Sequence, residues 1–293
     1  MRGPEGVDLD ASVDVVRDAL LQPVAGPALP DHVVPGDRVV IAQAGNLPGG
    51  QVLSDAIYRA ILQSLQAGGV SPDDIQLVIA RPTIQSDDSS LTDDSSCTTN
   101  QPFPVNVFNP LNDGETAYLL ADDSGEPLHL ARSLVDADVV LAVGSFGYDA
   151  SLSGRSPEGE LWPSFARQNR RQALVTSLLQ NRRQALRRWR DEAEQITAQL
   201  GVLASLHLVA GNNQTLAGAA FGFPAASVTQ ARLLAKQWRP SPESRSTLTI
   251  AGITDQPCGF ADLTRALAAA ARVTSHDGTV CVACTMHEEP GLI

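Results

Sequence analysis

The sequence predicts an α/β protein with a layered, mostly parallel sheet and flanking helices, followed by a partial second α/β unit. Short apolar runs bounded by Gly and Pro occur at residues 37–43, 75–82 and 137–144, and such runs are typical of buried parallel strands. Amphipathic helical segments separate several of these runs. A strand, a helix and a strand within about 45 residues form a βαβ unit, whose crossover is right-handed.

The first elements follow in a regular order. Residues 12–21 predict a short helix, and "DRVVIAQ" (residues 37–43) predicts a buried strand. In "QVLSDAIYRAILQSLQAGG" the apolar residues Leu53, Ile57, Ile61 and Leu65 recur every four residues on one helix face, and a Gly-Gly pair ends the helix. "IQLVIARP" is the next strand. The acidic, Ser/Thr-rich residues 86–102 predict a mobile surface loop.

The middle of the chain combines strands with two long helical segments. "VNVFN", "TAYLLAD" and "EPLHLAR" are short strand-like pieces, and "ADVVLAVG" is a central strand. Residues 164–200 predict helix, with a break near residues 176–181 because Arg182 falls on the apolar stripe. "LASLHLVAG" and "QTLAGAAFG" predict a hairpin with an Asn-based turn, and "FPAASVTQARLLAKQW" predicts a further helix.

A composition change near the C-terminal end predicts a domain boundary. Residues 239–246, "RPSPESRS", are the best linker candidate, so we predict a first domain at residues 1–240 and a second at residues 247–293. "TLTIAGI", "FADLTRALAAAARV" and "GTVCVACT" form one βαβ unit in the second domain. A single βαβ unit cannot bury both faces of its two strands. It therefore packs on the first domain, pairs with another chain as in a homo-oligomer, or is part of a truncated domain.

Composition and charge exclude several function classes. The 293 residues are 43% hydrophobic and 18% charged, which is ordinary globular material. The formal net charge of −12 argues against general affinity for nucleic acid or anionic membranes. There is no signal-peptide h-region and no apolar run near the roughly 18 residues of a membrane span, so we expect a cytoplasmic protein. The four cysteines are expected to be reduced.

Polar loops after the predicted strands carry the candidate site residues. The loop "GNLPGG" (residues 45–50) lies between a strand and a helix, and "FGYDASLSGRSPEGELWP" (residues 146–163) follows the central strand. Ligands of doubly wound sheets bind at the carboxyl ends of the strands. A turn-rich surface loop is an equally good interpretation of residues 146–163. The candidate contacts to a small anionic metabolite are Asn46, Arg81, Asp149, Ser153, Arg155 and Arg265.

Other chemistry-bearing residues favour structural interpretations. The five histidines do not cluster. Cys281 and Cys284, with His287 and Cys258 nearby, could suggest zinc, but a strand sends residues i and i+3 to opposite faces. We therefore predict core cysteines and no metal site. Eight arginines lie between residues 167 and 190, and because they spread round the helices they predict a solvated surface rather than a nucleic-acid stripe.

Four stretches together resemble the nickel-pincer lactate racemase (LarA-like) family. They are "VPGDRVVIAQAGNLPGG", "GEPLHLARSLVDADVVLAVGSFGYDASLSGRSPEGELWPSFA", "LGVLASLHLVAGNNQTLAGAAFGFPAASVTQARLLAKQW" and "ALAAAARVTSHDGTVCVA". The resemblance rests on overall pattern from Val34 to about Gly291. It implies two α/β domains with the active site between them, a nickel held by a pincer nucleotide joined to a lysine, and a histidine pair that moves a proton or hydride on a 2-hydroxy acid.

The family's reactive residues do not carry over to this chain. Its Asp-His-Thr-Arg-Pro motif falls on residues 44–48, where only Pro48 matches. Its histidine after the second strand falls at about Ile84, and the histidine of the later loop falls near Asp149. These differences imply that the proton-transfer pair is missing. General acid/base catalysis by such a pair contributes about 10²- to 10⁴-fold to the reaction rate.

The lysine that carries the family's cofactor is also missing. Its position falls at about Gly159, and a second-domain lysine is matched by Arg265. The single lysine of the chain, Lys236, lies in a different predicted helix, and arginine cannot replace a lysine nucleophile. The resemblance therefore implies the fold without a covalently tethered nickel-pincer nucleotide.

Three functions follow as hypotheses. The first is a divergent LarA-like protein that lacks pincer racemase activity and binds a small anionic metabolite. The second is an active 2-hydroxy-acid racemase or epimerase that holds the cofactor non-covalently or uses Tyr148 and Asp149 for acid/base chemistry. The third is a protein-interaction module that uses the exposed arginines of the helices, Arg182, Arg183, Arg187 and Arg188.

Overall fold

The computed structural model describes residues 4–45, 47–80, 103–122, 124–146, 161–212, 215–238, 244–253 and 260–285. The strands are β1 (Val39–Ala44), β2 (Ile75–Ala80), β3 (Val105–Phe108), β4 (Thr116–Ala121), β5 (Pro127–Ala131), β6 (Val139–Phe146), β7 (Ala204–Ala210), β8 (Leu216–Gly222), β9 (Ser246–Gly252) and β10 (Thr274–Ala283). The helices are α1 (Leu9–Leu21), α2 (Gly50–Ala67), α3 (Arg132–Val135), α4 (Gln168–Gln180), α5 (Arg182–Gln199), α6 (Pro224–Leu234) and α7 (Phe260–Val273).

A six-stranded sheet of order β3-β2-β1-β6-β7-β8 organises the larger of two compact units. Neighbouring strands from β3 to β7 are parallel, and only β8 runs antiparallel to its neighbour β7. In the centre of the sheet, Ile41 of β1 pairs with Leu77 of β2 on one side and Leu141 of β6 on the other. The predicted α/β class with a mostly parallel sheet and flanking helices is confirmed.

Alternate residues of β1 feed two separate apolar cores. Val39 and Ile41 belong to the core that contains side chains of α1 and α2, such as Val16 and Ile57. Val40 and Ala42, on the opposite face of β1, belong to a second core with Leu134 of α3 and Phe165. Because a strand sends successive side chains to opposite faces, a continuous apolar run is what a strand covered on both sides needs. Each fully buried aliphatic side chain stabilises the fold by about 1.5–3 kcal/mol.

A helical layer formed by α4 and α5 packs with the antiparallel hairpin β4–β5. Leu128 and Leu130 of the hairpin share a small core with Leu174 of α4 and Ile196 of α5. The two helices are separated at Asn181, whose side chain accepts a hydrogen bond from the backbone N–H of Gln184 at 3.3 Å and so caps α5. The predicted break in the helical segment is confirmed.

The predicted β7–β8 hairpin is also confirmed, as an antiparallel pair at the edge of the sheet. Its histidine, His207, is buried, with its Nε2 3.3 Å from the Ser205 hydroxyl and its ring against Phe146. The Ser205 hydroxyl lies 2.6 Å from that of Ser227 on α6. His207 is therefore a buried core residue.

The smaller unit contains β9, α7 and β10, with the two strands parallel. The prediction of core cysteines is wrong for Cys281, which is exposed, whereas Cys284 is partly buried. The reason is that position 281 lies in β10 on the face that α7 does not cover. The loop predicted at residues 86–102 lies outside the described residues.

Among the described helices, none has the length and apolar character needed to cross a membrane.

Candidate functional site

The larger unit has a topological switch point at the carboxyl ends of β1 and β6. The chain passes from β1 through α2 to β2 on one side, while β6 pairs with β1 on the other side. In sheets of this type, ligands bind in the crevice where the strand order reverses. The strands β1, β2 and β6 end at Ala44, Ala80 and Phe146, and these residues mark the edge of the sheet at which the crevice lies.

Side chains of β1 and α2 fix the loop that opens this crevice. The Gln43 side-chain amide donates to the carbonyl oxygen of Gly45 at 2.6 Å, and the buried Tyr58 hydroxyl donates to the Gln43 side-chain carbonyl. Gly49 precedes α2 with a φ of 82°, in the left-handed region that favours glycine. Gly49 has no side chain, so α2 begins without a side-chain cap from this position.

The sequence-predicted site residues lie beyond what the structure describes. Asn46, Arg81, Tyr148, Asp149, Ser153 and Arg155 fall outside the described residues, and Arg265 lies on α7 with a side chain that is not described. The structure does establish that the strands preceding Asn46 and Arg81 are neighbours, since Ala44 pairs with Ala80. The roles of all seven residues therefore stay predictions.

A buried ion network joins the β4–β5 hairpin to α4 and α5. The carboxylates of Asp122 and Glu192 are almost wholly buried, and Arg170 contacts both, at 2.9 and 2.5 Å. Arg188 also contacts both, at 2.7 and 2.9 Å. The Trp162 indole N–H donates to the second oxygen of Glu192 at 3.1 Å. Two carboxylates and two guanidinium groups cancel in charge, so the network is suited to holding the helical layer in place.

The Asp122 carboxylate is held in its ionised form. Burial opposes ionisation, but hydrogen bonds from the Ser124 hydroxyl, from the backbone N–H groups of Glu126 and Ser124, and from Arg170 outweigh it and hold the pKa of Asp122 well below its usual range. A depressed carboxyl pKa contributes stability above the pKa of the unfolded chain, and this contribution is lost as the pH falls through the folded-state pKa.

We therefore expect an acid-sensitive contribution to stability from Asp122. Lowering the pH from 7 to below about 4, the ordinary carboxyl range, should reduce the free energy of unfolding of the wild-type chain more than that of Asp122→Asn. Urea unfolding followed by tryptophan fluorescence at a series of pH values measures both. If the difference between the two proteins is the same at every pH, the carboxylate of Asp122 does not titrate as described.

Beside this network, a polar cavity opens next to the carboxyl end of β3. It has a volume of about 410 Å³ and is lined by residues that follow β3 and by the first turn of α4: Pro110, Leu111, Asp113, Arg167, Gln168, Asn169 and Gln172. We call it the Arg167 cavity. A smaller cavity of about 210 Å³ shares Arg167 and Asn169 and adds residues of β5, including His129.

Arg167 is pinned in an orientation set by the hairpin. Its Nε donates to the buried Thr116 hydroxyl at 2.7 Å and lies 3.3 Å from a carboxylate oxygen of Asp113, whose side chain is 81% exposed. In the described part of the chain, no acceptor pairs with the two terminal nitrogens of this guanidinium. Burial, and then the charge of Arg167, lower the pKa of His129.

Gln168 lines the same cavity and is buried. Its backbone N–H donates to the carbonyl oxygen of Pro110 at 3.1 Å, which fixes the start of α4 against the residues after β3. Among described residues, neither its side-chain oxygen nor its side-chain nitrogen has a hydrogen-bond partner. An unpaired buried amide costs about 1–3 kcal/mol, and such groups call for a specific explanation.

Two solved structures share this architecture. The lactate racemase apoprotein from Thermoanaerobacterium thermosaccharolyticum matches with a TM-score of 0.63 and 14% identity, over 87% of this chain and 61% of that chain. A Thermotoga maritima protein matches with a TM-score of 0.57 and 12% identity, over 87% of this chain and 65% of that one. The chain has the fold of these proteins. It spans less than two thirds of the length of either.

Comparison of the amino-acid sequence with known families and curated proteins finds no match. No family model matches the chain. No curated protein matches it either. The likeness to lactate racemase is therefore one of fold, and it agrees with the α/β architecture predicted from the sequence.

The residues of this chain do not fit a nickel-pincer nucleotide tethered to a lysine. Lys236, the single lysine, lies in the 3-10 turn Ala235–Trp238 that follows α6, and not in a loop after a strand of the sheet. Within the ranges that the structure describes, no group of three His, Cys, Asp or Glu side chains could hold a metal ion.

The prediction that the Arg-rich helices form a solvated surface is wrong for Arg170 and Arg171. Arg170 is mostly buried in the ion network. Arg171 donates from Nε to the carbonyl oxygen of Ala166 at 3.2 Å and stacks over Phe108, and burial lowers the pKa of Arg171 to about 10. The partners of both arginines lie on other elements, carboxylates for Arg170 and backbone carbonyls for Arg171, which is why helical spacing alone did not identify them.

Proposed function

We propose that this chain binds a small organic anion in the Arg167 cavity and does not carry out nickel-pincer racemisation. The observation that carries the proposal is the buried side-chain amide of Gln168 beside the pinned guanidinium of Arg167. The cavity lies beside the carboxyl end of the edge strand β3, apart from the switch point between β1 and β6.

The guanidinium supplies the positive charge for an anion. Since its Nε is held by Thr116, its terminal nitrogens can donate two parallel hydrogen bonds to a carboxylate. Asp113 is the competing anion, but it is mostly exposed, and exposed ion pairs contribute only about 0–1 kcal/mol. A ligand carboxylate that enters the cavity can therefore replace Asp113 at small cost.

The amide of Gln168 indicates the class of ligand. Because its oxygen accepts and its nitrogen donates, a ligand that carries both a hydroxyl and a carboxylate can satisfy both atoms. A 2-hydroxy acid has this pair of groups on neighbouring carbons. The structural neighbour from Thermoanaerobacterium is named for lactate, a 2-hydroxy acid, which makes lactate the first ligand to test.

Ligand titration tests the proposal. We expect saturable binding of one lactate per chain by isothermal titration calorimetry, and weaker binding of propionate, which has the same carbon skeleton without the hydroxyl. Inorganic phosphate serves as an anion that has neither the carbon-bound hydroxyl nor the planar carboxylate of a 2-hydroxy acid. Equal affinities for lactate and propionate would show that Gln168 does not recognise the hydroxyl. If none of the three anions binds saturably, the proposal is wrong.

A further inference from the structure

The smaller cavity, of about 210 Å³, shares Arg167 and Asn169 with the Arg167 cavity and is also lined by a histidine. This histidine is His129 of β5, and it is partly buried. The charge of Arg167 acts on its imidazole, so the two side chains are close in space. An imidazole that senses this guanidinium also senses an anion that pairs with the guanidinium.

The charged and titratable groups around His129 come from the hairpin β4–β5, from the turn before β4 and from the start of α4. The Tyr118 ring of β4 packs edge-on against the imidazole, with ring centroids 6.0 Å apart. The other groups are Glu126, Asp113, Arg167 and Arg170. The charge of Arg170 is balanced by its carboxylate partners in the ion network, which leaves Arg167 as the cation that acts on His129.

Two causes make the neutral form of His129 more favourable than that of an ordinary histidine. Burial is the larger cause and the charge of Arg167 is the second, and both lower the pKa of His129. A hydrogen bond to the Pro127 backbone and the charge of Asp113 act in the opposite direction. Of the two lowering causes, the charge of Arg167 is the one that a ligand anion can cancel.

We propose that binding of a small organic anion in the Arg167 cavity is coupled to the uptake of a proton by His129. This inference rests on the proposed function, because the ligand carboxylate must pair with Arg167. The ligand adds one negative charge beside the guanidinium, whereas Asp113 belongs to the chain in both states. The repulsion between Arg167 and a protonated imidazole is then offset, so protonation of His129 becomes more favourable.

The coupling gives the affinity a defined dependence on pH. Because the anion raises the pKa of His129, a protonated His129 raises the affinity for the anion by the same factor. The affinity therefore rises as the pH falls from the pKa of the bound state to that of the free state. The ligand carboxylate stays ionised well above about pH 4, so lactate should bind about 3- to 10-fold more tightly at pH 5 than at pH 8.

Calorimetric titration with lactate near pH 6 tests the coupling. The titration is repeated in two buffers of different ionisation enthalpy, neither of them a carboxylate or a phosphate, since the difference in heat reports the protons taken up. We expect the wild type to take up a fraction of one proton per lactate and His129→Gln to take up none. His276→Gln is the matched control, because this exposed histidine of the smaller unit lines neither cavity, and it should behave as the wild type does.

The outcomes separate this inference from the proposed function. Lactate binding without proton uptake, or with equal uptake in His129→Gln, would overturn the inference and leave the proposed function standing. If the wild type binds no lactate at either pH, the proposed function and the inference that rests on it are both wrong.

Proton NMR of the imidazole tests the link between Arg167 and His129 without any ligand. The ring signals of His129 are assigned by their loss in His129→Gln, and their shift with pH gives the pKa. Arg167→Gln should raise the pKa of His129 above its value in the wild type, whereas Arg167→Lys keeps the charge and should leave it low. A pKa that is the same in the wild type and in Arg167→Gln would contradict the inference.

Discussion

Replacing Asp122 by alanine should lower the free energy of unfolding by about 3–5 kcal/mol, the cost of breaking a buried ion pair from one side. The change removes the acceptor for Arg170 and Arg188 and for the Ser124 hydroxyl. Arg170 keeps its contact to Glu192, but the network then holds two positive groups and one negative group. Urea unfolding measures the loss, and Trp162, which donates to Glu192, makes fluorescence a local probe.

Asp14→Ala is the matched control for this prediction. Asp14 contacts Arg17 at 2.6 Å, but both side chains are largely exposed. Exposed ion pairs contribute about 0–1 kcal/mol, so the control should change stability little. If Asp14→Ala and Asp122→Ala lower the free energy of unfolding by similar amounts, burial adds no stability to the Asp122 network. The conclusion that this network holds α4 and α5 in place would then be wrong.

Replacing Arg167 by glutamine should weaken lactate binding by about 10- to 100-fold. Hydrogen bonds to charged groups contribute about 1.5–3 kcal/mol, and each 1.4 kcal/mol is tenfold in affinity. Arg167→Lys keeps the charge but loses the paired donors, so its affinity should lie between those of the wild type and Arg167→Gln. Calorimetric titration with lactate measures all three proteins.

Arg183→Gln is the control, since Arg183 is an exposed arginine of α5 and its loss changes the net charge equally. Because Arg167 also bonds to Thr116, the unfolding free energy of each variant is measured alongside its affinity. If Arg183→Gln weakens lactate binding as much as Arg167→Gln does, the attraction is a property of overall charge and the Arg167 cavity is not the site.

The elements that sequence patterns predicted are those with strong local signals. The buried strands β1, β2 and β6 stand out because both of their faces are apolar. The helix α2 has its apolar side chains at a spacing of four, ending at Gly68 and Gly69. The break between α4 and α5 followed from a charged residue at an apolar position, and the structure places it at Asn181.

The side chains in and beside the candidate site are brought together by tertiary contacts that no local sequence pattern reveals. Asp122 lies in the turn between β4 and β5, whereas Arg170 and Arg188 lie on two different helices. Their side chains meet only because the hairpin packs on the helices. Gln168 likewise lines a cavity formed by residues after β3 and by α4. The Cys281 prediction was wrong for a related reason, because an alternating strand does not reveal which of its faces is covered.

Proton NMR of L-lactate in D₂O tests binding without racemisation. The chain is purified from cells that also produce the nickel-pincer nucleotide, so that the cofactor is present. We expect the L-lactate signals to broaden on addition of the protein, while a chiral shift reagent added after incubation resolves no D-lactate. Formation of D-lactate, which reports racemisation by either proton or hydride transfer, would contradict the proposed function and would establish an active isomerase.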